Sequence, residues 1–201
     1  MAKTPPFMIL RSKLVSRLKE LESEGTILDL GCGSGNLLIK LAKKFPKSTL
    51  IGVDTSSEML EKARKRAGRK GLNAEIELKV GAANNIPFPD NSIDIIVSSF
   101  SLHHWEDPAG CLKEVYRVLK KDGSLLIFDF RRDARRFWYG LLTFATKIVV
   151  PKALKQINEP LGSLQAGYTV VESREILTET PFKEFQVDSW LAWMFIKGMK
   201  L

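Results

Sequence analysis

Ile27-Leu28-Asp29-Leu30-Gly31-Cys32-Gly33-Ser34-Gly35 is the stretch of sequence that decides the fold of this chain. Its apolar half predicts a short buried strand, and the glycines that follow predict a sharp turn. Residues 36–45 then repeat apolar side chains at helical spacing, with lysines on the other side. A strand therefore enters a helix through glycines, which let a ligand approach the main chain because they lack a Cβ. A purely structural turn is the alternative interpretation.

The same alternation of strand and helix continues to residue 130. Predicted strands are residues 49–53, 75–80, 93–98 and 124–130, and predicted helices are residues 57–69 and 109–119. In the first of these helices, Met59 and Leu60 belong to the face that we expect to point inward. A turn at Lys121-Asp122-Gly123 precedes the last of these strands. This order predicts an α/β fold with a doubly wound, mostly parallel sheet.

Both ends of the chain depart from this rhythm. The predicted elements there are amphipathic helix 7–21, long apolar helix 134–154, helix 172–180 and strand segments 182–190 and 191–198. The last two segments are close enough in sequence to form an antiparallel hairpin at the sheet edge. We therefore expect seven strands in all.

Composition excludes several broad classes of protein. The 201 residues are 44% hydrophobic and 27% charged, which is typical of a globular domain. The net charge is +8, but Lys and Arg are spread over many helical segments, as on a solvated surface rather than a nucleic-acid-binding stripe. Cys32 and Cys111 lack metal-ligand spacing, so we expect reduced thiols, no bound metal and a cytoplasmic protein. Residues 1–6 do not resemble a signal peptide.

Asp54 is the first candidate for ligand recognition. Ligands of open α/β sheets bind at the carboxyl ends of the strands, and Asp54 ends the second predicted strand. It follows the glycines by about twenty residues, where a carboxylate can accept hydrogen bonds from ribose hydroxyls. A helix cap is the alternative, since Thr55, Ser56 and Ser57 come next. The NAD fingerprint requires glycine at its sixth position, where this chain has Asn36, so a dinucleotide is disfavoured.

Two further segments complete a series of motifs. They are Val53-Asp54-Thr55-Ser56-Ser57-Glu58-Met59-Leu60 and Ile86-Pro87-Phe88-Pro89-Asp90-Asn91-Ser92-Ile93-Asp94. With the glycine stretch, they resemble the class I S-adenosylmethionine-dependent methyltransferases, most closely the subgroup of ubiquinone and menaquinone C-methyltransferases and small-molecule methylases. The resemblance covers about residues 25–130 and implies a Rossmann-like methyltransferase fold.

The resemblance also implies the cofactor, S-adenosyl-L-methionine, and its product, S-adenosyl-L-homocysteine. The glycine turn with Asp29 would face the methionine moiety, Asp54 the ribose, and the residues after it the adenine. The implied cofactor-binding residues are Asp29, Gly31, Cys32, Gly33, Gly35, Asp54, Thr55, Ser56, Met59, Gly81, Ala82, Ala83, Ser98 and Ser99. The family usually carries an acidic residue where this chain has Ala82, to bind the adenine amino group. Asn84 or a backbone carbonyl is the alternative partner, and weaker cofactor affinity would follow.

His103 and His104 follow the fourth strand, where family members bring the methyl group against the acceptor. Methyl transfer is an in-line displacement that depends mainly on positioning and needs no obligate catalytic residue. If the acceptor must lose a proton, either imidazole is a suitable base; the alternative is a structural ring packed against the cofactor or Trp105. The Asn/Asp-Pro-Pro-aromatic motif of enzymes that methylate base amines is absent, which makes nucleic acid a less favoured partner.

Residues 137–150 form an apolar stretch with one charge, after the basic residues 131–136. It is too short to span a bilayer. A core helix, a substrate lid, a dimer surface and a peripheral membrane contact are its alternative roles. The oligomeric state is not encoded in any motif.

We therefore expect one methyltransferase domain over residues 1–201 that methylates a small, lipophilic molecule. Its parts would be a helical cap (1–25), a cofactor-binding core (26–130), a lid or substrate-side insert (131–170), and a C-terminal helix and hairpin (171–201). An RNA or protein methyltransferase and a cofactor-binding protein without catalysis are the competing hypotheses, prompted by the charge and by Ala82.

Overall fold

The computed structural model describes residues 12–18, 25–72, 75–134, 140 and 161–201. In these residues the strands are β1 (Thr26–Leu30), β2 (Thr49–Asp54), β3 (Ile76–Val80), β4 (Ile93–Ser99), β5 (Leu119–Phe130), β6 (Glu184–Trp190) and β7 (Trp193–Met199). The helices are α1 (residues 12–18), α2 (Asn36–Lys44), α3 (Ser57–Gly68), α4 (Pro108–Val118), α5 (Leu161–Ala166) and α6 (Val170–Thr178). One turn of 3-10 helix spans Leu102–His104.

The strands of the described chain form a seven-stranded sheet in the order β3-β2-β1-β4-β5-β7-β6. The first five are parallel, while β7 runs antiparallel to both β5 and β6. Leu28 of β1 pairs with Ile51 of β2 on one side and Ile96 of β4 on the other. The strand order therefore reverses between β1 and β4, which is the switch point where such folds bind ligands. This confirms the predicted doubly wound sheet with an antiparallel hairpin.

The sheet carries a hydrophobic core on each face. Ile27 and Leu28 are neighbours in β1, so their side chains point to opposite faces, and both are fully buried. Leu18 of α1 packs with α2 on the side of Ile27. Val115 of α4 and Leu177 of α6 pack on the side of Leu28. No helix in the described part of the chain is both long and apolar enough to cross a membrane.

Several predicted boundaries change for local reasons. The hairpin turn consists of Leu191 and Ala192, because Trp190 pairs directly with Trp193. Helix α6 begins at Val170 rather than at residue 172, since the Thr169 side chain caps it by accepting from the Glu172 backbone N–H. Strand β5 already begins at Leu119, and its predicted turn is an irregular segment with Asp122 at a φ of 61°.

The prediction that Met59 points inward is wrong, because 37% of this residue is exposed. Apolar helix 134–154 lies outside the described residues except at Ala134 and Gly140. The division into cap, core, insert and C-terminal part stays a prediction, since much of residues 1–25 and 131–170 also lies outside them.

Candidate functional site

A cleft of about 730 Å³ opens at the carboxyl ends of β1, β2, β3 and β4. Its volume lies within the range of small-molecule sites, about 300–1,000 Å³. Predicted site residues that line the cleft are Gly31, Gly33, Asp54, Thr55, Met59, Gly81, Ala82, Ala83 and His104. Predicted site residues not among its lining are Asp29, Cys32, Gly35, Ser56, Ser98, Ser99 and His103. The structure thus brings together residues from four separate loops.

The glycine turn is held in a conformation that favours glycine. Gly31, Gly33 and Gly35 have φ values of 76°, 52° and 72°. A Cβ at Gly31 would collide with Oγ and Cβ of Ser101, so a side chain at this position would force Ser101 to shift. A Cβ at Gly33 would meet no atom within 4 Å, because it would point into open space at the cleft.

Asp54 lies at the cleft with its carboxylate fixed by the main chain. Its Oδ2 accepts the backbone N–H of Gly33 at 2.7 Å, and its Oδ1 accepts the N–H of Ser56 at 2.9 Å. Each carboxylate oxygen has a second lone pair with which to accept a ligand hydroxyl. Ser56, not Asp54, caps α3, since its Oγ accepts the N–H of Met59 at 3.2 Å. The alternative that Asp54 is the helix cap is therefore wrong.

Three predicted site residues lie beneath the cleft surface. Asp29 is 1% exposed, and Ser98 is buried with its Oγ donating to the carbonyl oxygen of Leu30 at 2.8 Å. Burial raises the pKa of the Cys32 thiol, and the carboxylates of Asp29 and Asp54 raise it further. A thiol held neutral in this way is a poor nucleophile.

Arg66 supports the glycine turn from α3, and sequence reasoning missed it. Its guanidinium donates to the carbonyl oxygen of Ser34 at 2.8 Å and to the Oγ of the same residue at 3.0 Å. Arg66 is one of several basic residues along α3, so its spacing carries no signal of this role.

The loop after β3 is held by α4. Glu114 accepts the backbone N–H of Ile86 at 3.0 Å, while Arg117 donates to the carbonyl oxygen of the same residue at 3.2 Å. Hydrogen bonding to Arg117 lowers the pKa of Glu114, which keeps this carboxylate charged. Ala82 and Asn84 of this loop line the cleft, so the loop reaches the site without the acidic residue that the family usually carries.

The two histidines take different environments. The side chain of His103 is 2% exposed, and its Nδ1 lies 2.7 Å from Oδ1 of Asp129, which is itself 1% exposed. His104 is exposed and lines the cleft, and the two imidazole ring centres are 4.0 Å apart. Sequence reasoning missed Asp129, although one signal was available, because it is the only charged residue in the buried run Leu125–Phe130.

Phe100 turns the chain sharply after β4. Its φ of 58° is rare for a bulky residue, and such strain concentrates at functional sites. Its ring lies 5.1 Å from the rings of both Phe128 and Phe130, which compensates for the strain by packing. The turn directs Ser101 and the histidines to the carboxyl edge.

Fold and site together define a Rossmann-like protein with a cleft at the carboxyl ends of its parallel strands. A methyltransferase domain family model matches residues 28–127. The demethylmenaquinone methyltransferase of Lactobacillus johnsonii is 41% identical over 120 residues, which cover 59% of this chain and 49% of that protein. A ubiquinone/menaquinone biosynthesis C-methyltransferase of Rickettsia bellii is 31% identical over 170 residues, covering 83% of this chain and 66% of that one.

A solved structure of a SAM-dependent methyltransferase from Methanosarcina mazei is also similar, with 26% identity and a TM-score of 0.67. The match covers 92% of this chain and 96% of that one. This chain belongs to the class I S-adenosylmethionine-dependent methyltransferases, as its motifs predicted. It spans between 45% and 66% of the length of the curated relatives named above and of another from Bacillus subtilis.

Proposed function

We propose that this protein transfers the methyl group of S-adenosylmethionine to a small, apolar acceptor of the quinol type. The observation that carries the proposal is the carboxylate of Asp54 at the cleft, fixed opposite a glycine turn with an open Gly33. The names of the two curated relatives support a quinol as the acceptor. A reduced quinone carries an electron-rich ring carbon and an acidic hydroxyl.

The residues present fit the cofactor. Gly33 leaves space that a side chain would fill, and Asp54 offers two fixed oxygens for ribose hydroxyls. We assign Gly31 and Gly33 to the methionine moiety, and Thr55 and Met59 to the adenine side of the cleft. When bound, S-adenosylmethionine supplies an electrophilic methyl carbon attached to a positively charged sulfur.

Asn84 takes the adenine contact in place of the missing acidic residue at Ala82. Its side chain is exposed and lines the cleft, and its amide oxygen can accept a hydrogen bond from an amino group. A neutral amide makes a weaker hydrogen bond than a carboxylate, so the affinity for the cofactor is lower than an acidic residue would give.

The electrostatics of the cleft disfavour RNA as the acceptor. Asp54, Glu106 and Asp107 line it, whereas no lysine or arginine does so within the described ranges. Polyanions require cationic contacts to their phosphates. Phe100 and Trp105 add aromatic surface at the same cleft, which suits an apolar ring.

We further propose a cytoplasmic enzyme that meets its acceptor at or near the membrane through residues 137–150. Both cysteines are free and buried, as expected in a reducing compartment. Residues 137–150 lie outside the described residues apart from Gly140, so the support for this contact is their apolar composition after a basic run.

Calorimetric titration with S-adenosylmethionine and S-adenosylhomocysteine tests cofactor binding, and transfer of labelled methyl to reduced demethylmenaquinone tests the acceptor. Saturable binding with label in the quinone supports the proposal. Absence of saturable binding refutes cofactor use. Binding without label in the quinone refutes the acceptor class alone. Salt-sensitive retention on RNA, together with labelled RNA, would favour the nucleic-acid alternative.

A further inference from the structure

We propose that His103 accepts the proton of the methyl acceptor through Nε2, and that Asp129 is the positioning residue that prepares His103 for this role. The inference rests on the proposed methyl transfer. Of the two neighbouring histidines, His103 is thus the base, and Asp129 is a residue of the site that no sequence motif indicates.

Hydrogen bonds around Asp129 decide which nitrogen of His103 carries the proton. Oδ1 of Asp129 accepts the backbone N–H of Phe130 at 2.7 Å, and Oδ2 accepts the N–H of His103 at 3.3 Å. Because both oxygens accept from backbone amides, the ionised carboxylate can only accept a hydrogen bond from the imidazole and cannot donate one. Nδ1 of His103, at 2.7 Å from Oδ1, is therefore the protonated nitrogen. In the neutral ring Nε2 then has a free lone pair.

Nε2 of His103 is buried and meets no hydrogen-bond partner in the part of the chain that the structure describes. A buried acceptor without a partner is costly, and in native proteins it calls for a functional explanation. The same ring is fixed by Asp129, by His104 at 4.0 Å and by Phe130 at 6.0 Å between ring centres. A fixed ring with one unused lone pair is the arrangement that a general base requires.

The location of the pair connects it to the cleft. His103 follows β4 and Asp129 lies near the end of β5, at the carboxyl edge where the cleft opens. Ser101, His104 and Trp105, on either side of His103 in sequence, all line the cleft. His104 is exposed, and its ring centre lies 4.0 Å from that of His103, so the two rings are in contact at the border of the cleft.

A quinol acceptor loses its hydroxyl proton to His103 as its ring carbon gains the methyl group. Nε2 takes the hydroxyl proton, and the O–H electron pair feeds the ring carbon, which bonds to the methyl carbon as the C–S bond breaks with its pair left on sulfur. This gives a dienone, whose proton on the methylated carbon then moves to its carbonyl oxygen and restores the aromatic ring. Asp129 stabilises the imidazolium, which later releases its proton to water.

Titratable groups of the described residues also lie near the pair. They include His104, whose ring centre lies 4.0 Å from that of His103, and Tyr168 of the segment after α5, whose pKa is affected by the charge of Asp129. Burial raises the pKa of Tyr168, and Glu172 raises it further, so this phenol stays neutral near pH 7.

Nuclear magnetic resonance of the ring nitrogens tests the tautomer without any substrate. The chain has two histidines, so His104→Gln leaves a single one to assign. We expect Nδ1 protonated and Nε2 unprotonated at pH 8, and loss of this preference in the Asp129→Asn variant. A proton on Nε2 of neutral His103 would overturn the proposal.

Methylation of reduced demethylmenaquinone tests the catalytic role. His103→Gln should lower kcat about 10²-fold or more, the usual contribution of a general base. The loss should largely disappear near pH 10, because a phenol-type hydroxyl has a pKa of about 10 and ionises there without a general base. Asp129→Asn should lower kcat with the same alkaline rescue, and His104→Gln should show no such rescue. A loss that pH does not change would assign His103 a structural role and overturn the proposal.

Asp94→Asn is the matched control for Asp129→Asn. Asp94 likewise accepts from a backbone N–H, that of Thr26 at 2.8 Å, and from a basic side chain, that of Lys120 at 2.8 Å, but at the amino end of β4. We expect its kcat to equal that of the wild type; a loss equal to that of Asp129→Asn would overturn the assignment. Calorimetry should show that the His103 and Asp129 variants bind S-adenosylmethionine normally. This measurement distinguishes failure of the His103–Asp129 assignment from failure of the proposed methyl transfer.

Discussion

Gly33 donates its backbone N–H to Oδ2 of Asp54 across 2.7 Å, which joins the turn after β1 to the end of β2. Asp54→Ala removes this acceptor as well as the proposed ribose contact. We expect the Kd for S-adenosylmethionine to rise about tenfold or more, since a hydrogen bond to a charged group contributes about 1.5–3 kcal/mol. Calorimetry measures the Kd and urea denaturation the free energy of unfolding.

The control for this prediction is Asp94→Ala, which removes a carboxylate acceptor at the opposite edge of the sheet. Both variants should lose about 1–2 kcal/mol of stability, because each leaves a backbone N–H without its acceptor. Only Asp54→Ala should lose affinity. Equal affinities in two folded variants would show that Asp54 does not bind the cofactor.

Gly31→Ala and Gly33→Ala should separate packing from ligand binding. Both glycines have positive φ, but only a Cβ at Gly31 would collide with Ser101. We expect Gly31→Ala to be less stable than Gly33→Ala by about 1–3 kcal/mol, the usual cost of overpacking. Gly33→Ala should instead weaken S-adenosylmethionine binding, since its methyl group enters the cleft. Urea denaturation and calorimetry measure the two effects.

A double-mutant cycle identifies the clash. Ser101→Gly should recover most of the stability that Gly31→Ala loses, because it removes both Oγ and Cβ from the collision. Additive effects of the two substitutions would mean that the strain at Gly31 lies in its φ alone.

Glu114 should make the loop after β3 sensitive to acid. Hydrogen bonding to Arg117 and then to the Ile86 amide lowers its pKa in the folded state. Because the folded pKa lies below the unfolded one, the stabilisation is present above about pH 4.5 and is lost as pH falls through the folded pKa. Glu114→Gln should be less stable than the wild type by about 1 kcal/mol at pH 7 and equally stable in strong acid.

Glu58→Gln controls for the general effect of losing a carboxylate. Lys62 lowers the pKa of Glu58 as well, but this pair is fully exposed on α3. An exposed pair contributes little to stability, so the variant should unfold like the wild type at both pH values. A pH profile of Glu114→Gln parallel to that of the wild type would contradict the proposed role of Glu114.

Cys111 should make the protein less stable in alkali. Burial, followed by the charges of Asp107 and Glu114, raises the pKa of this thiol to about 11. Above about pH 9 the thiol ionises in the unfolded chain but not in the folded one, so stability falls as pH rises towards the folded value. Urea denaturation should show a shallower decline from pH 8 to pH 10 for Cys111→Ala. An unchanged slope would contradict the burial of the thiol.

The part of the cleft lined by the glycine turn and Asp54 was largely predictable because its residues lie where local sequence sets geometry. Glycines after an apolar run and Asp54 at the end of the next run are local features, and Gly31, Gly33 and Asp54 all line the cleft. Ser98 was less predictable, since a serine at a strand end can face either the ligand or the sheet. It bonds to Leu30, in a strand far away in sequence.

Asp129 and Arg66 show what the sequence could not provide. Each forms a hydrogen bond with a residue far from it in the chain: Asp129 with His103, and Arg66 with Ser34. Periodicity reports which face of an element is buried, but not which side chain it meets across the sheet. The irregular start of β5 has the same origin, because its register against β4 shifts between Ile93 and Ile95.

Because β1 lies between β2 and β4, the cleft can be completed only after much of the chain has been synthesised. Ile27 pairs with Ile95, so the glycine turn leaves the ribosome well before the strand that completes its surroundings. Parallel pairings between distant segments form slowly. A nascent chain that stops before β4 contains Gly31, Gly33 and Asp54 but not Phe100 and Ser101, which line the other side of the cleft. Cofactor present during synthesis would then stabilise only chains whose folding has passed this point.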